Sequence, residues 1–109
     1  TYADRPLLHH SVYSIAKASL KAMTKALAIE LAPKVRVNGV APGAILWPTT
    51  LENGNDPQVV QARAKVLKNI PLGTLGHLQD IADATYFLAC DADYITGQVI
   101  KIDGGRRLS

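Results

Sequence analysis

The chain has 109 residues, the length of one domain, and an ordinary globular composition of 48% hydrophobic and 19% charged residues. No apolar run is long enough for a membrane helix. The net charge of +3 comes from scattered basic residues beside a single Phe, which is not the basic stripe with interleaved stacking rings that nucleic-acid binding needs.

Residues 1–12 read as a loop, with Pro6 restricting Arg5 to extended conformations and Ser11 as an N-cap. The opening TYADRPLLHH lacks the basic-then-apolar pattern of a signal peptide. From Val12 to Leu31 the pattern is helical: Ala16, Ala18, Ala22, Ala26 and Ala28 favour helix, and Ile15, Leu20, Met23, Leu27 and Leu31 add larger apolar groups. A helix apolar over so much of its circumference is expected to be buried on more than one side. Pro33 ends it.

Val35, Val37 and Val40 then predict a short strand stopped by Pro42-Gly43. Residues 44–57 read as irregular, and a loop of that length after a strand end points to function. A short helix is predicted over 58–69 and a Gly-containing link over 71–77. Another helix follows from Asp80 to Ala89, with Asp91, Asp93 and Gly97 marking its exit. Val99, Ile100 and Ile102 form a last strand, closed by Asp103-Gly104-Gly105. The single cysteine, Cys90, reads as a small core residue of the preceding helix; its solitude excludes an internal disulfide and suits a reducing compartment. His9, His10 and His77 have no Cys or carboxylate at ligand spacing, so no metal site is expected.

Tyr13 and Lys17 stand four residues apart on the first helix, hence on one face. A free phenol ionises near pH ~10, too high for proton transfer at neutral pH. A lysine charge roughly 5 Å away, at an effective dielectric of about 20, favours the phenolate by about 3 kcal/mol. That lowers the phenol pKa by roughly two, toward the range where a general acid works. Taken alone, the same spacing is common on solvated helix faces.

Three helices and two strands do not close a sheet, because parallel strands need neighbours for their backbone groups. The phosphate-binding G-x-G-x-x-G turn is also missing. The chain is therefore expected to be the C-terminal part of a larger α/β protein, or part of it seen alone.

Five blocks occur in order: Tyr13-x-x-x-Lys17, Arg36-Val37-Asn38-x-Val40-x-Pro42-Gly43, Asp80-Ile81-Ala82, Ile95-Thr96-Gly97-Gln98 and Asp103-Gly104-Gly105. Together they resemble the C-terminal half of a short-chain dehydrogenase/reductase and cover nearly the whole chain. On that resemblance, residues 1–109 are the C-terminal part of a single such domain, an α/β fold that is the C-terminal portion of a Rossmann-like doubly wound parallel sheet, whose glycine-rich cofactor half lies outside them. Arg5-Pro6-Leu7-Leu8 and Ala41-Pro42-Gly43-Ala44-Ile45-Leu46-Trp47-Pro48 resemble, more narrowly, the bacterial pteridine reductases.

The resemblance implies an NADPH-dependent reductase of a pteridine ring, or alternatively a carbonyl or 3-oxoacyl reductase. It implies a cytoplasmic homotetramer acting on a small molecule, with no nucleic acid, membrane or metal. A non-catalytic fragment or assembly element is the reading from another class. Tyr13 would deliver the proton that accompanies hydride transfer, and Lys17 would lower its pKa and bind the nicotinamide ribose. Pro42, Gly43, Ala44 and Ile45 would run along the nicotinamide. Asn38 would tie neighbouring loops, and Asp103 with its two glycines would form a structural corner. The third catalytic position would fall just before Thr1. Trp47 stands where the family often has Thr, which would remove a hydroxyl contact and offer a flat wall to a bicyclic substrate. Gly76-His77-Leu78 replaces the family's Gly-x-Pro.

Overall fold

The computed structural model describes residues 11–45, 47, 54 and 56–106, and for residues 11–14 and 16 it describes the backbone. Of the loop expected over 1–12, residues 1–10 with the Arg5–Leu8 block lie outside the described residues, as do Leu46, Pro48, Arg107 and the Ser11 side chain expected to cap the first helix; residues 11 and 12 are already helical.

Helix α1 spans Ser11–Leu31. It ends where Lys34 and Val35 both donate to the Leu31 carbonyl at 3.0 Å, ahead of which the Ala32–Pro33 peptide is cis. Its inward face carries small residues, Thr24 and Ala28, both buried. Thr24 satisfies its hydroxyl within the helix, donating to the Leu20 carbonyl at 2.9 Å. A Cβ on Gly97 would stand 3.4 Å from the Ala28 Cβ, so helix and loop backbones approach closely where neither has bulk. The burial expected on several sides is not found among the described residues: Ile15, Leu20, Met23 and Ile29 are each more than half exposed, Ile29 at 79%. The physical reason is area: α1 buries Thr24 and Ala28, and cover for the rest of its 21 residues is not among the described residues.

Strands β1 (Gly39–Pro42) and β2 (Val99–Ile102) pair in one sheet. Gly39 donates to Gln98 and Gly43 to Ile102, both at 2.8 Å; the constant offset makes the pair parallel. The predicted strand began at Val35, but the ladder starts at Gly39. Side chains hold the preceding segment instead. Val37 N–H donates to Thr96 Oγ1 at 3.0 Å. Asn38 donates from Nδ2 to the Ile95 carbonyl at 2.8 Å and accepts Gln98 N–H on Oδ1 at 3.1 Å. Asn38 thus ties two loops, the role its motif implied.

Helix α2 (Pro57–Lys68) starts one residue before the predicted helix. Asp56 caps it, accepting the Gln58 N–H at 2.8 Å, and Pro57 takes the first turn, where its missing N–H costs nothing. Helix α3 (Leu78–Tyr86) starts two residues earlier than Asp80 because Asp80 serves its N-terminus from inside, its carboxylate accepting His77 N–H at 2.8 Å. It stops as α-helix at Tyr86 and passes into a π-helical turn, Phe87–Asp91. Leu88 on this turn is buried, whereas Cys90 is exposed. The expectation that Cys90 packs in a core is corrected: on the π-helical turn Leu88 takes the buried position and Cys90 is exposed. After β2, Gly105 N–H donates to Asp103 Oδ1 at 2.9 Å and Gly104 and Gly105 both take positive φ, forming the corner expected of them.

The described α/β fold thus has three α-helices and two parallel strands. The chain divides into two compact units: Thr1–Val40 with Thr85–Ile100, and Ala41–Ala84 with Lys101–Ser109. The first has buried Thr24, Ala28, Leu88 and Ala92, and the second has buried Ile70.

Candidate active site

The sequence-predicted residues fall into these two units. Tyr13 and Lys17 lie on α1 in the first. Their spacing of about one turn, at about 1.5 Å rise per residue, sets their Cα positions about 6 Å apart along the helix axis on one face. Lys17 is half-buried, while the next six residues of α1 are exposed. The Tyr13 side chain lies outside the described ones.

The second unit holds Pro42, Gly43, Ala44, Ile45 and Trp47. β1 ends at Pro42, and the chain turns at the carboxyl edge of the sheet, where open α/β sheets bind ligands. Three contacts pin this turn. Gly43 N–H reaches the Ile102 carbonyl at 2.8 Å, and the Ala44 carbonyl accepts Gly76 N–H at 3.0 Å. Gly43 lies so close to the Asp103 corner that a Cβ there would stand 2.7 Å from Asp103 Cα and Cβ. Ile45 packs over Gly76, where an added Cβ would come within 2.7 Å of Ile45 Cδ1. An apolar recess of about 560 Å³ opens beside the turn, lined by Pro42, Gly43, Ala44, Ile45, Leu78, Ile81 and Ala82.

Trp47 is half-buried. The Arg63 guanidinium of α2 lies 5.9 Å from its ring centroid, within cation–π range. The sequence reading missed Arg63, as it missed Leu78 and Ile81. The signal was present: Arg63 occupies an inward position of the α2 periodicity, where a charge is unusual. Among the described residues there is no group of three His, Cys, Asp or Glu placed to hold a metal ion, and no helix long and apolar enough to cross a membrane.

A family model described as enoyl-(acyl carrier protein) reductase matches residues 1–107. The chain belongs to the short-chain dehydrogenase/reductase family, whose members use nicotinamide cofactors, and corresponds to its C-terminal portion. It is 41% identical to 3beta-hydroxysteroid dehydrogenase 1 of Eggerthella lenta over 105 residues, 94% of this chain and 39% of that protein. It is 45% identical to the 3-oxoacyl-[acyl-carrier-protein] reductase of Thermotoga maritima over 95 residues, 85% of this chain and 37% of that protein. A solved structure of Thermoplasma acidophilum aldohexose dehydrogenase, a C-terminal deletion mutant, superposes with a TM-score of 0.77 at 31% identity, covering 92% of this chain and 46% of that one. The chain thus spans about two fifths of the length of the curated relatives it matches, with shares of 39%, 42% and 38%. These relatives are named for steroid, oxoacyl and sugar substrates and none for a pteridine, so they favour the carbonyl-reductase expectation over the pteridine one.

Proposed function

We propose that the protein carrying this chain is an NAD(P)H-dependent oxidoreductase that interconverts a carbonyl and a hydroxyl group. The observation that carries the reading is the family match over residues 1–107 in a chain that keeps Tyr13 and Lys17 one turn apart on a single helix.

The chain's own residues suit a nicotinamide: the pinned Pro42–Ile45 turn borders an apolar recess that fits one face of a flat ring. When bound, the nicotinamide supplies the hydride. Pro42, Gly43, Ala44 and Ile45 back the ring and exclude water from that side. Tyr13 donates its phenolic proton to the substrate oxygen as negative charge develops there, and Lys17 favours the resulting phenolate and holds the ribose hydroxyls. NADPH is the preferred donor in this reading. The protein works in the cytoplasm as a homo-oligomer, a tetramer, and the exposed apolar side chains of α1 support an assembled state.

A pteridine ring is the second reading, favoured by one observation: a half-buried indole stands two residues past the turn. Against it, Arg63 lies over that ring. Nicotinamide absorbance assays of the full-length protein with an acetoacetyl thioester and with dihydrobiopterin separate the two. Turnover of the thioester alone supports the carbonyl reading; turnover of dihydrobiopterin alone overturns it.

A further inference from the structure

The Ala44–Ile45 end of the pinned turn leans on a segment held by one carboxylate. Gly76 N–H donates to the Ala44 carbonyl at 3.0 Å, and an added Cβ on Gly76 would stand 2.7 Å from Ile45 Cδ1. Gly76 thus supports the turn twice, through its backbone and through packing. His77 follows it, immediately before α3, and exchanges two hydrogen bonds with Asp80. Asp80 Oδ2 accepts His77 N–H at 2.8 Å, and Asp80 N–H donates to the His77 carbonyl at 2.9 Å. In a capping box the third helical residue reaches back in this way to the residue before the helix. Asp80 Oδ2 also lies beside Gly76, 3.6 Å from where its Cβ would stand. Packing holds this segment only weakly. Residues 77–80 are exposed, and a hollow of about 300 Å³ lies against Ala44, Gly76, His77 and Asp80. Hydrogen bonds therefore carry its placement. The same bonds tie the first turn of α3, which lends Leu78, Ile81 and Ala82 to the apolar recess.

We infer that Asp80 is a positioning residue for the cofactor recess. Through His77 and Gly76 it sets the placement of Ala44 and Ile45, which line the recess, and so the fit of a flat ring against them. The inference rests on the nicotinamide reading of that recess. It leaves the proton step to other residues.

The test titrates NADPH, or NADH if only that binds, into the full-length protein by nicotinamide fluorescence. It also follows the Ile45 δ1 methyl by NMR without cofactor, assigned by its loss in Ile45→Val. Asp80→Ala should raise Kd about fivefold, the equivalent of one lost cap, and should move the methyl resonance. Asp80→Asn keeps an acceptor oxygen and should recover most of the affinity. Asp56→Ala removes a comparable cap from α2 and should leave Kd within about twofold and the methyl in place. Gly76→Ala should also weaken binding, and less so in an Ile45→Val background, where the crowded atom is gone. An unchanged Kd in Asp80→Ala overturns the inference. So does an equal loss in Asp56→Ala, which would trace the effect to stability, or an Asn variant no better than Ala, which would trace it to charge. An equal Gly76→Ala loss in both backgrounds overturns it as well. If the wild type binds neither nucleotide, the nicotinamide reading falls and the cofactor role of Asp80 falls with it. The support of Ile45 is then read from the methyl alone: a shift in Asp80→Ala upholds it, and an unchanged resonance overturns it.

Discussion

Gly43 shows how a residue without a side chain can fix the shape of a site. Its backbone runs against the Asp103 corner so closely that a Cβ would stand 2.7 Å from two Asp103 carbons, one of them backbone. Gly43→Ala should therefore cost about 1–3 kcal/mol of stability through overpacking, read by denaturant unfolding, and should weaken cofactor binding because the turn must shift. Ala44→Gly, which adds no atoms, should leave that clash absent and the midpoint close to the wild type. At this scale Asn38 and the Asp103–Gly105 corner hold the structural roles that the family resemblance implied for them, and the four-residue interval set Tyr13 and Lys17 on one helix. The α2 periodicity marks Arg63 as an inward charge but does not say what it meets, because Trp47 lies sixteen positions away. A contact between distant side chains leaves no local spacing to read.

At the scale of elements, helices were placed to within two residues at their starts, and each discrepancy has a local cause. Pro57 was read as loop because proline breaks helix interiors, yet Asp56 makes it a first-turn residue. Asp56→Ala should remove that cap and destabilise by about 1 kcal/mol, measurable in the unfolding midpoint. The strand was begun too early at Val35 because β-branched residues there resemble ladder residues, whereas side chains of Asn38 and Thr96 take over the hydrogen bonding. The π-helical turn after α3 was invisible in periodicity. It leaves carbonyls that a regular helix would pair, and Arg36 donates to two of them, Leu88 at 2.6 Å and Ala89 at 2.9 Å. Arg36→Met should cost about 2 kcal/mol, since charge-assisted bonds are lost around the buried Leu88. A lysine there restores the charge but not the two-pronged geometry, so Arg36→Lys should recover only part of the loss.

For the whole molecule, the parallel sheet and the missing glycine-rich turn were legible as signs of a larger α/β architecture, and the family comparisons agree. The expectation that α1 is covered on several sides failed within this chain because the cover is not among its described residues. Ile15 at 65% and Ile29 at 79% exposure carry enough apolar area to contribute about 1.5–3 kcal/mol each when covered. If the proposed homo-oligomer covers them, the Ile15→Glu/Ile29→Glu double variant should shift the full-length protein toward smaller species in sedimentation velocity; an unchanged distribution would show that assembly uses other surfaces. The central claim, however, is the proton chemistry of α1. Its most direct test is steady-state ketone reduction by wild-type and Tyr13→Phe full-length protein, followed by nicotinamide absorbance, with cofactor affinity measured by titration. Removing one hydroxyl should lower kcat by about 10²–10⁴-fold while cofactor affinity is retained. A Tyr13→Phe protein turning over at near wild-type rate would contradict the claim.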